Sequence, residues 1–379
     1  METTTTTETK LPLYAKLSLT TIGLIAFFYI LYVGQDILVP LIFATVIAIL
    51  LNPVINFLCR KGMNKVVAIL LVLTVALFII GSLMYFMGSQ ISMFTETWPQ
   101  LKQKISMIFS DGINWVSQKF NVAKPKIAAW VDKTRGEGMG NSSAVIGETL
   151  GTISGILVLI FLLPVYTFMV LFYKPLLLEF IARLFQRDKH KIVAEVLMET
   201  KVLIQSYLVG LLLEAALVAT LNTAALLIIG IKYALLIGFI GALLNIIPYI
   251  GGLVAIAIPM LLAIATREPI DALWVFIAYI IVQFIDNNFF VPKIVASKVK
   301  INALVSIIVV LIGGALWGVS GMFLSIPLTA IFKVIFDRIE TLSAFGFLLG
   351  DNQPEIGKAI FNFKNPIKKK VKPKVIKEG

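Results

Sequence analysis

Uncharged runs recur along the chain at 17–35, 37–59, 66–95, 149–173, 202–231, 233–266, 272–292 and 302–332, with Glu214 and Asp286 as the only acids inside them. Runs of this kind predict helices that cross a bilayer, because about 20 apolar residues at 1.5 Å each match a hydrocarbon core about 30 Å thick. Six of the runs suit one crossing apiece. The other two are too long: Tyr233 to Thr266 has thirty-four residues and Asn302 to Phe332 thirty-one, all uncharged. As a straight rod the first would reach about 51 Å. It is interrupted by Asn245-Ile246-Ile247-Pro248-Tyr249-Ile250-Gly251-Gly252, and the second by Gly313-Gly314, Gly318 and Gly321. Proline removes a backbone donor and glycine lowers helix propensity, so the helix breaks where oil supplies no substitute partner. The pattern predicts two helical hairpins, each entering and leaving on one face. Broken helices at that depth mark a transport path.

The expected fold is therefore all-α and polytopic, with about six full spans, two Gly/Pro-broken hairpins and an amphipathic extracytoplasmic helical segment. Composition agrees: 59% of the 379 residues are hydrophobic, 14% are charged and mean hydropathy is +0.94, outside the range of soluble domains. A net charge of +12 does not point to nucleic acid, since the basic residues sit between the apolar runs and in the tail Lys364 to Lys377. Positive residues stay on the cytoplasmic side, where they also meet anionic lipid. With both hairpins returning to the face they left, 24 of the 33 Lys and Arg fall on that side, together with both termini. The segment 96–148 is an exception, with seven basic residues against five acidic, but loops near 60 residues obey the rule weakly. The organisation expected is a threonine-rich disordered cytoplasmic leader (1–16), three spans (17–95), the extracytoplasmic segment (96–148), a fourth span (149–173), a cytoplasmic amphipathic segment (174–201), a transport core (202–338) and a basic cytoplasmic tail (339–379). Cys59 is the only cysteine, which excludes an intrachain disulfide and speaks against cysteine-held zinc or iron–sulfur, and no cofactor is expected.

Ile91, Phe94, Trp98, Leu101, Ile105, Ile108 and Trp115 follow three- and four-residue steps, so a helical seam continues outward from the third span, to pack within the subunit or between copies. The segment 175–204 is also amphipathic, as for a helix lying at the membrane surface. Gly147, Gly151 and Gly155, and later Gly314 and Gly318, repeat every four residues and match a close-packing signature, while Pro164 predicts a kink in the fourth span.

An acid near mid-membrane costs about 2.5 to 3.5 kcal/mol on insertion scales, so Glu214 and Asp286 each need a partner, a proton or a wet cavity. No Lys, Arg or His lies inside any run to pair with them, which suits coupling to H⁺ or Na⁺. Glu214 falls near mid-depth on a stripe with Tyr207 and Gly210; the alternative is a protonated side chain bonded to a neighbouring helix, with Asn222 as similar glue. Gln283, Asp286 and Asn287, spaced i, i+3 and i+4, share one helix face and can converge on one ligand. The alternative for Asp286 is a carboxylate reaching the interface beside Lys293. In the first hairpin Asn245 and Tyr249 flank Pro248, ahead of Gly251, where freed carbonyls suit a cation and half-helix N-termini an anion, unless the break is structural only.

Asn245-Ile-Ile-Pro248-Tyr249-Ile-Gly251, Gln283-Phe-Ile-Asp286-Asn287-Asn288 with Val291-Pro-Lys-Ile294, Gly313-Gly-Ala-Leu-Trp-Gly318 and Gly321-Met-Phe-Leu-Ser-Ile-Pro327 together resemble the autoinducer-2 exporter-like (AI-2E) transporter family. The resemblance implies a multi-pass protein of the bacterial inner membrane that forms homo-oligomers, with a pentamer the expected count, and exports a small polar solute such as the quorum signal autoinducer-2. Some relatives are regarded instead as Na⁺(Li⁺)/H⁺ antiporters. The chain departs from the family pattern at Gly252, where a second proline or similar residue is usual, and Glu214 falls outside the shared motif. No ATP-binding Gly-x-x-x-x-Gly-Lys-Ser/Thr loop and no His-Glu-x-x-His pair is present, so an ion gradient is the expected driver and no enzyme activity is expected. A non-transporting membrane scaffold built on the outer seam is the reading from another class.

Overall fold

The computed structural model describes residues 12–120, 161–246, 251–296 and 299–351. The leader to residue 11, residues 121–160 with the start of the predicted fourth span and Gly147, Gly151 and Gly155, the tip residues Pro248 and Tyr249, and the tail from 352 lie outside the described residues. Those described are helical almost throughout, which makes the chain an all-α polytopic membrane protein. The main helices are α1 (Leu13–Val33), α2 (Gln35–Arg60), α3 (Lys65–Phe120), α4 (Phe161–Phe172), α5 (Lys174–Leu184), α6 (His190–Ile229), α7 (Ala234–Asn245), α8 (Gly251–Thr266), α9 (Pro269–Ile285), α10 (Ala303–Arg338) and α11 (Ser343–Leu349). The face on which α1 begins is called here the near face.

The apolar runs become long helices because lipid supplies no hydrogen bonds and the helix satisfies its own backbone. Few of their apolar side chains are buried, and α1 has no buried residue at all, as expected of helices whose outer sides meet acyl chains. Helix α3 runs 56 residues without interruption, so the third span projects well past the far face. Phe94, on the predicted seam, packs edge-on against Tyr233, whose hydroxyl donates to the Met93 carbonyl at 3.1 Å, a contact within the subunit. The bend in the fourth span falls at Tyr173, where α4 and α5 meet at 62°, nine residues past Pro164. Only the first part of the near-face segment lies apart as α5; from His190 the chain is already α6, a 40-residue helix of about 60 Å that enters the apolar layer without a break.

Helix α6 is the axis of the core. It ends at Gly230, whose φ of +81° and N–H bonds back to the last turn form a left-handed cap. On its far-face half, Leu226 packs with α7, α8 and α9 through Ile237, Ala255, Leu262 and Val275. On its near-face half, Ile204, Tyr207, Leu208 and Leu211 pack against α2 and the second leg of α10 through Val46 and Ala330.

Both predicted hairpins are present. Helices α7 and α8 lie side by side, and Gly251 sits so close to the Leu244 carbonyl that no side chain fits there. Helix α10 folds back on itself at Trp317 and Gly318, where φ +61°, ψ −141° is open to glycine alone. Gly313 and Gly321, which eight residues of straight helix would hold about 12 Å apart, meet backbone to backbone. The i, i+4 pair Gly314 and Gly318 thus does not form a packing stripe, because Gly318 makes the turn instead. The Trp317 indole donates to the Leu31 carbonyl at 3.0 Å, which brings the hairpin tip to the far end of α1. At its base, Asn302 caps the first leg through the Val305 N–H and donates to the carbonyls of Leu348 and Gly350, tying α11 to the near face.

Candidate functional site

Asn245 and Gly252, which flank the tip of the α7–α8 hairpin, lie against the end of α9. There the helix widens into an i→i+5 π form over Asp286–Ala296, with Pro292 inside it. A π segment of eleven residues is rare, and π turns concentrate at functional sites. Because the helix does not stop at Pro292, Asp286 is not close to its end. It is 1% exposed and turns toward the hairpin, not toward Lys293. Asn245 Nδ2 donates to its Oδ2 at 2.7 Å, and Gln283 Nε2 reaches the same oxygen at 3.5 Å and Asn287 Oδ1 at 3.2 Å. The predicted face of Gln283, Asp286 and Asn287 is therefore real, and Asn245 completes it from the hairpin. Asn287 itself is exposed. Gly252 closes the same corner: a methyl group there would lie 2.9 Å from Gln283 Oε1 and 3.5 Å from Asn245 Oδ1. Of the other tip residues named from the sequence, Gly251 shapes the turn, and Pro248 and Tyr249 lie outside the described residues.

Across from this corner stands α6. Gly210 lets it touch the π segment, for a methyl group there would be 2.7 Å from the Ile294 carbonyl oxygen. One turn further, Glu214 is 7% exposed and lies within electrostatic reach of Asp286. It shares its stripe with buried Tyr207, as the spacing predicts. Among the described residues neither carboxylate has a salt-bridge partner; the ion pairs use Arg183, Arg267, Lys333 and Arg338.

Toward the far face the polar surface continues. Asn222, eight residues beyond Glu214 on α6 and 3% exposed, and Tyr279 of α9, 4% exposed, both approach Gly241 of α7. A methyl group on Gly241 would be 3.4 Å from Asn222 Nδ2 and 3.5 Å from Tyr279 Oη. Tyr279 was not among the residues singled out from the sequence, yet it stands four residues before Gln283 and seven before Asp286, on the same helix face. Among the described residues, Asp286 Oδ1, Asn222 Oδ1 and Tyr279 Oη are all buried without a hydrogen-bond partner. Buried polar atoms are rarely left unpaired, and each such atom calls for an ion, a solute or water.

Toward the near face, a cavity of about 520 Å³ opens between α6 and α10, lined by Glu195, Glu199, Ser206, Lys300, Lys333 and Arg338 among others. Ser206 in its lining stands four and eight residues before Gly210 and Glu214 on α6, so the cavity lies below the face that carries Glu214. Arg338 spans its rim, donating to Glu195 at 2.8 Å and Glu199 at 3.1 Å. Among the described residues no three His, Cys, Asp or Glu side chains converge as a metal site.

A many-spanned helical protein with a hairpin tip packed on a buried carboxylate, and polar groups strung along one interhelical seam, has the build of a membrane transporter. The sequence comparisons name the group: residues 22–341 match the AI-2E family transporter profile, and the chain belongs to that family. The AI-2 transport protein TqsA of Escherichia coli (strain K12) is 24% identical over 324 residues, covering 85% of this chain and 92% of that protein. YrrI and YueF of Bacillus subtilis (strain 168), both named as transport proteins, are 27% and 25% identical, covering 79% and 80% of this chain and 86% and 84% of their own.

Proposed function

We propose that this chain exports a small polar solute, autoinducer-2 being the first candidate, along the seam between α6, α9 and the α7–α8 hairpin, and that an ion gradient drives it. The observation that carries the reading is Asp286: a carboxylate buried in the apolar layer, held on one oxygen by Asn245 of the hairpin and, among the described residues, without a partner on the other. Burying such a group is costly, so its retention favours a working role. The route would enter at the near-face cavity and pass Tyr207, Glu214, Asp286 and Asn245 to Tyr279 and Asn222. The near face would be cytoplasmic by the positive-inside count, and the membrane the bacterial inner membrane. The family resemblance supports assembly as a homo-oligomer. The name of TqsA supports autoinducer-2 as cargo.

A second reading, Na⁺(Li⁺)/H⁺ antiport, is favoured by two carboxylates within reach of each other and unpaired with any basic group among the described residues. Reconstitution in liposomes separates the two. Wild type should release loaded autoinducer-2, and Asp286→Asn should do so at least tenfold more slowly with its thermal unfolding retained. A pH-dye response to Na⁺ or Li⁺ without solute flux would install the antiporter instead. Equal solute efflux from wild type and Asp286→Asn would remove Asp286 from the mechanism.

A further inference from the structure

A second cluster lies at the near face, away from the polar seam. Lys65 begins α3, Lys174 begins α5 just past the bend at Tyr173, and Lys201 lies where α6 enters the apolar layer. Lys174 Nζ turns inward and donates to Asn52 Oδ1 on α2 at 3.1 Å, and Lys65 Nζ donates to the Phe172 carbonyl at the bend, 3.0 Å away. Lys65 and Lys201 are both near enough for their charges to act on Lys174. Among the described residues none of the three forms a salt bridge. Asn52 is 5% exposed, and its Nδ2 has no hydrogen-bond partner among the described residues.

A lysine placed only by topology would extend its ammonium into water, where like charges are screened. Here Lys174 turns instead onto a buried amide that, among the described residues, still has a donor to give, with Lys65 anchored at the adjoining bend and Lys201 near enough for its charge to act on Lys174. Burial, then the charges of Lys201 and Lys65, hold the Lys174 ammonium below its ordinary value, which is the signature of a cation short of a counter-charge. Basic pockets between helices at this depth match the headgroups of anionic lipids.

We propose that Asn52, Lys65, Lys174 and Lys201 form a binding site for a phosphate-bearing anion, supplied by the headgroup of an anionic phospholipid or by a soluble phosphate. The three ammonium groups neutralise the anion and the Asn52 amide donates to one of its oxygens. The site is separate from the seam at Asp286, so it stands or falls independently of the transport reading.

Full-length protein stripped of lipid in mild detergent can be titrated with short-chain phosphatidylglycerol, short-chain phosphatidylcholine and inorganic phosphate, with native mass spectrometry and unfolding temperature as readouts. Phosphatidylglycerol should bind and raise the unfolding temperature, and phosphatidylcholine should do neither. Lys65→Gln, Lys174→Gln and Lys201→Gln should each weaken the binding roughly fivefold, the worth of one lysine near a charged headgroup. Lys174→Arg should retain it, and so should Lys191→Gln, which removes an exposed charge outside the cluster. A response to inorganic phosphate equal to that of the lipid identifies the soluble source, and a response to the lipid alone identifies the headgroup. Three glutamine variants that bind phosphatidylglycerol and phosphate as wild type does would overturn the site, as would equal binding of phosphatidylcholine.

Discussion

The α7–α8 hairpin and the folded α10 enter the apolar layer from opposite faces on a shared plan, two apolar legs closed by glycine against backbone. At Gly251 the neighbour is the Leu244 carbonyl, and at Gly313 and Gly321 each backbone is the neighbour of the other. What the two tips meet is different. The tip of α10 holds to α1 through one indole bond, while its second leg packs apolar surface on α2 and α6. The described residues that flank the tip of α7–α8, Asn245 and Gly252, are both set against the polar face of α9, and the first leg carries Gly241 beside Asn222 and Tyr279. Close-packed backbone has no second arrangement at low cost, whereas hydrogen bonds around a carboxylate can be exchanged for those of a passing solute. On the proposed reading, one hairpin holds shape and the other holds chemistry.

The largest effect should follow from filling a glycine of the shape-holding hairpin. Gly321→Val puts a branched side chain into the Gly313 backbone, which cannot swing aside, at a cost of more than about 3 kcal/mol. The variant should lose its monodisperse peak in size-exclusion chromatography. Gly252→Ala, by contrast, meets the end of the flexible Gln283 side chain and should fold normally while transporting poorly. Aggregation of both would erase the distinction between the hairpins.

Next in size is Asn245→Ala. It takes away the 2.7 Å donor to Asp286 and leaves that oxygen only the 3.5 Å approach of Gln283. A buried acceptor deprived of its partner costs about 1 to 3 kcal/mol. Unfolding temperature should fall and flux should drop about tenfold. Wild-type flux from this variant would show that the tip serves the fold alone.

The sequence carries some of this contrast and hides the rest. The spans are legible because a bilayer selects apolar length, and the hairpins because 34 and 31 uncharged residues exceed it. The face shared by Gln283, Asp286 and Asn287 follows from helical spacing. Its depth does not, because Pro292 reads as a helix end, whereas a π segment absorbs it and carries the helix on to Ala296. Spacing rules also presume a straight helix. Once α10 reverses at Gly318, residues eight apart become neighbours and the four-residue repeat of Gly314 and Gly318 loses its meaning. The switch from polar to apolar near Val202 marks the entry into lipid without marking any break in α6, since solvent pattern and backbone continuity are separate properties. Tyr279 has no charge to draw notice in an apolar run, although its spacing from Gln283 was there to be read.

Tyr279→Phe should act in two directions at once. The Tyr279 hydroxyl is buried without a partner among the described residues, and a polar group left so costs about 1 to 3 kcal/mol, so removing it should raise the unfolding temperature. If the hydroxyl instead serves a solute on the chemistry-holding side, flux should fall a few-fold in the same protein. Gain of stability with loss of flux separates a working group from a packing one. Unchanged flux would leave Tyr279 out of the seam.

The smallest effect is expected at the other tip. Trp317→Phe keeps the ring and removes only the N–H donated to the Leu31 carbonyl, worth about 0.5 to 1.5 kcal/mol. The Leu31 carbonyl is neutral and lies on a helix with no buried residue, so nothing buried and charged is stranded. Helix α1 has no buried residue, so this bond is a large part of what holds its far end to the body of the protein. Limited proteolysis near Gly34 should therefore speed up several-fold while flux stays within twofold of wild type. Were flux to collapse with α1 still protected, the α10 tip would belong to the transport chemistry after all, and the division of labour between the hairpins would fail at its quieter end.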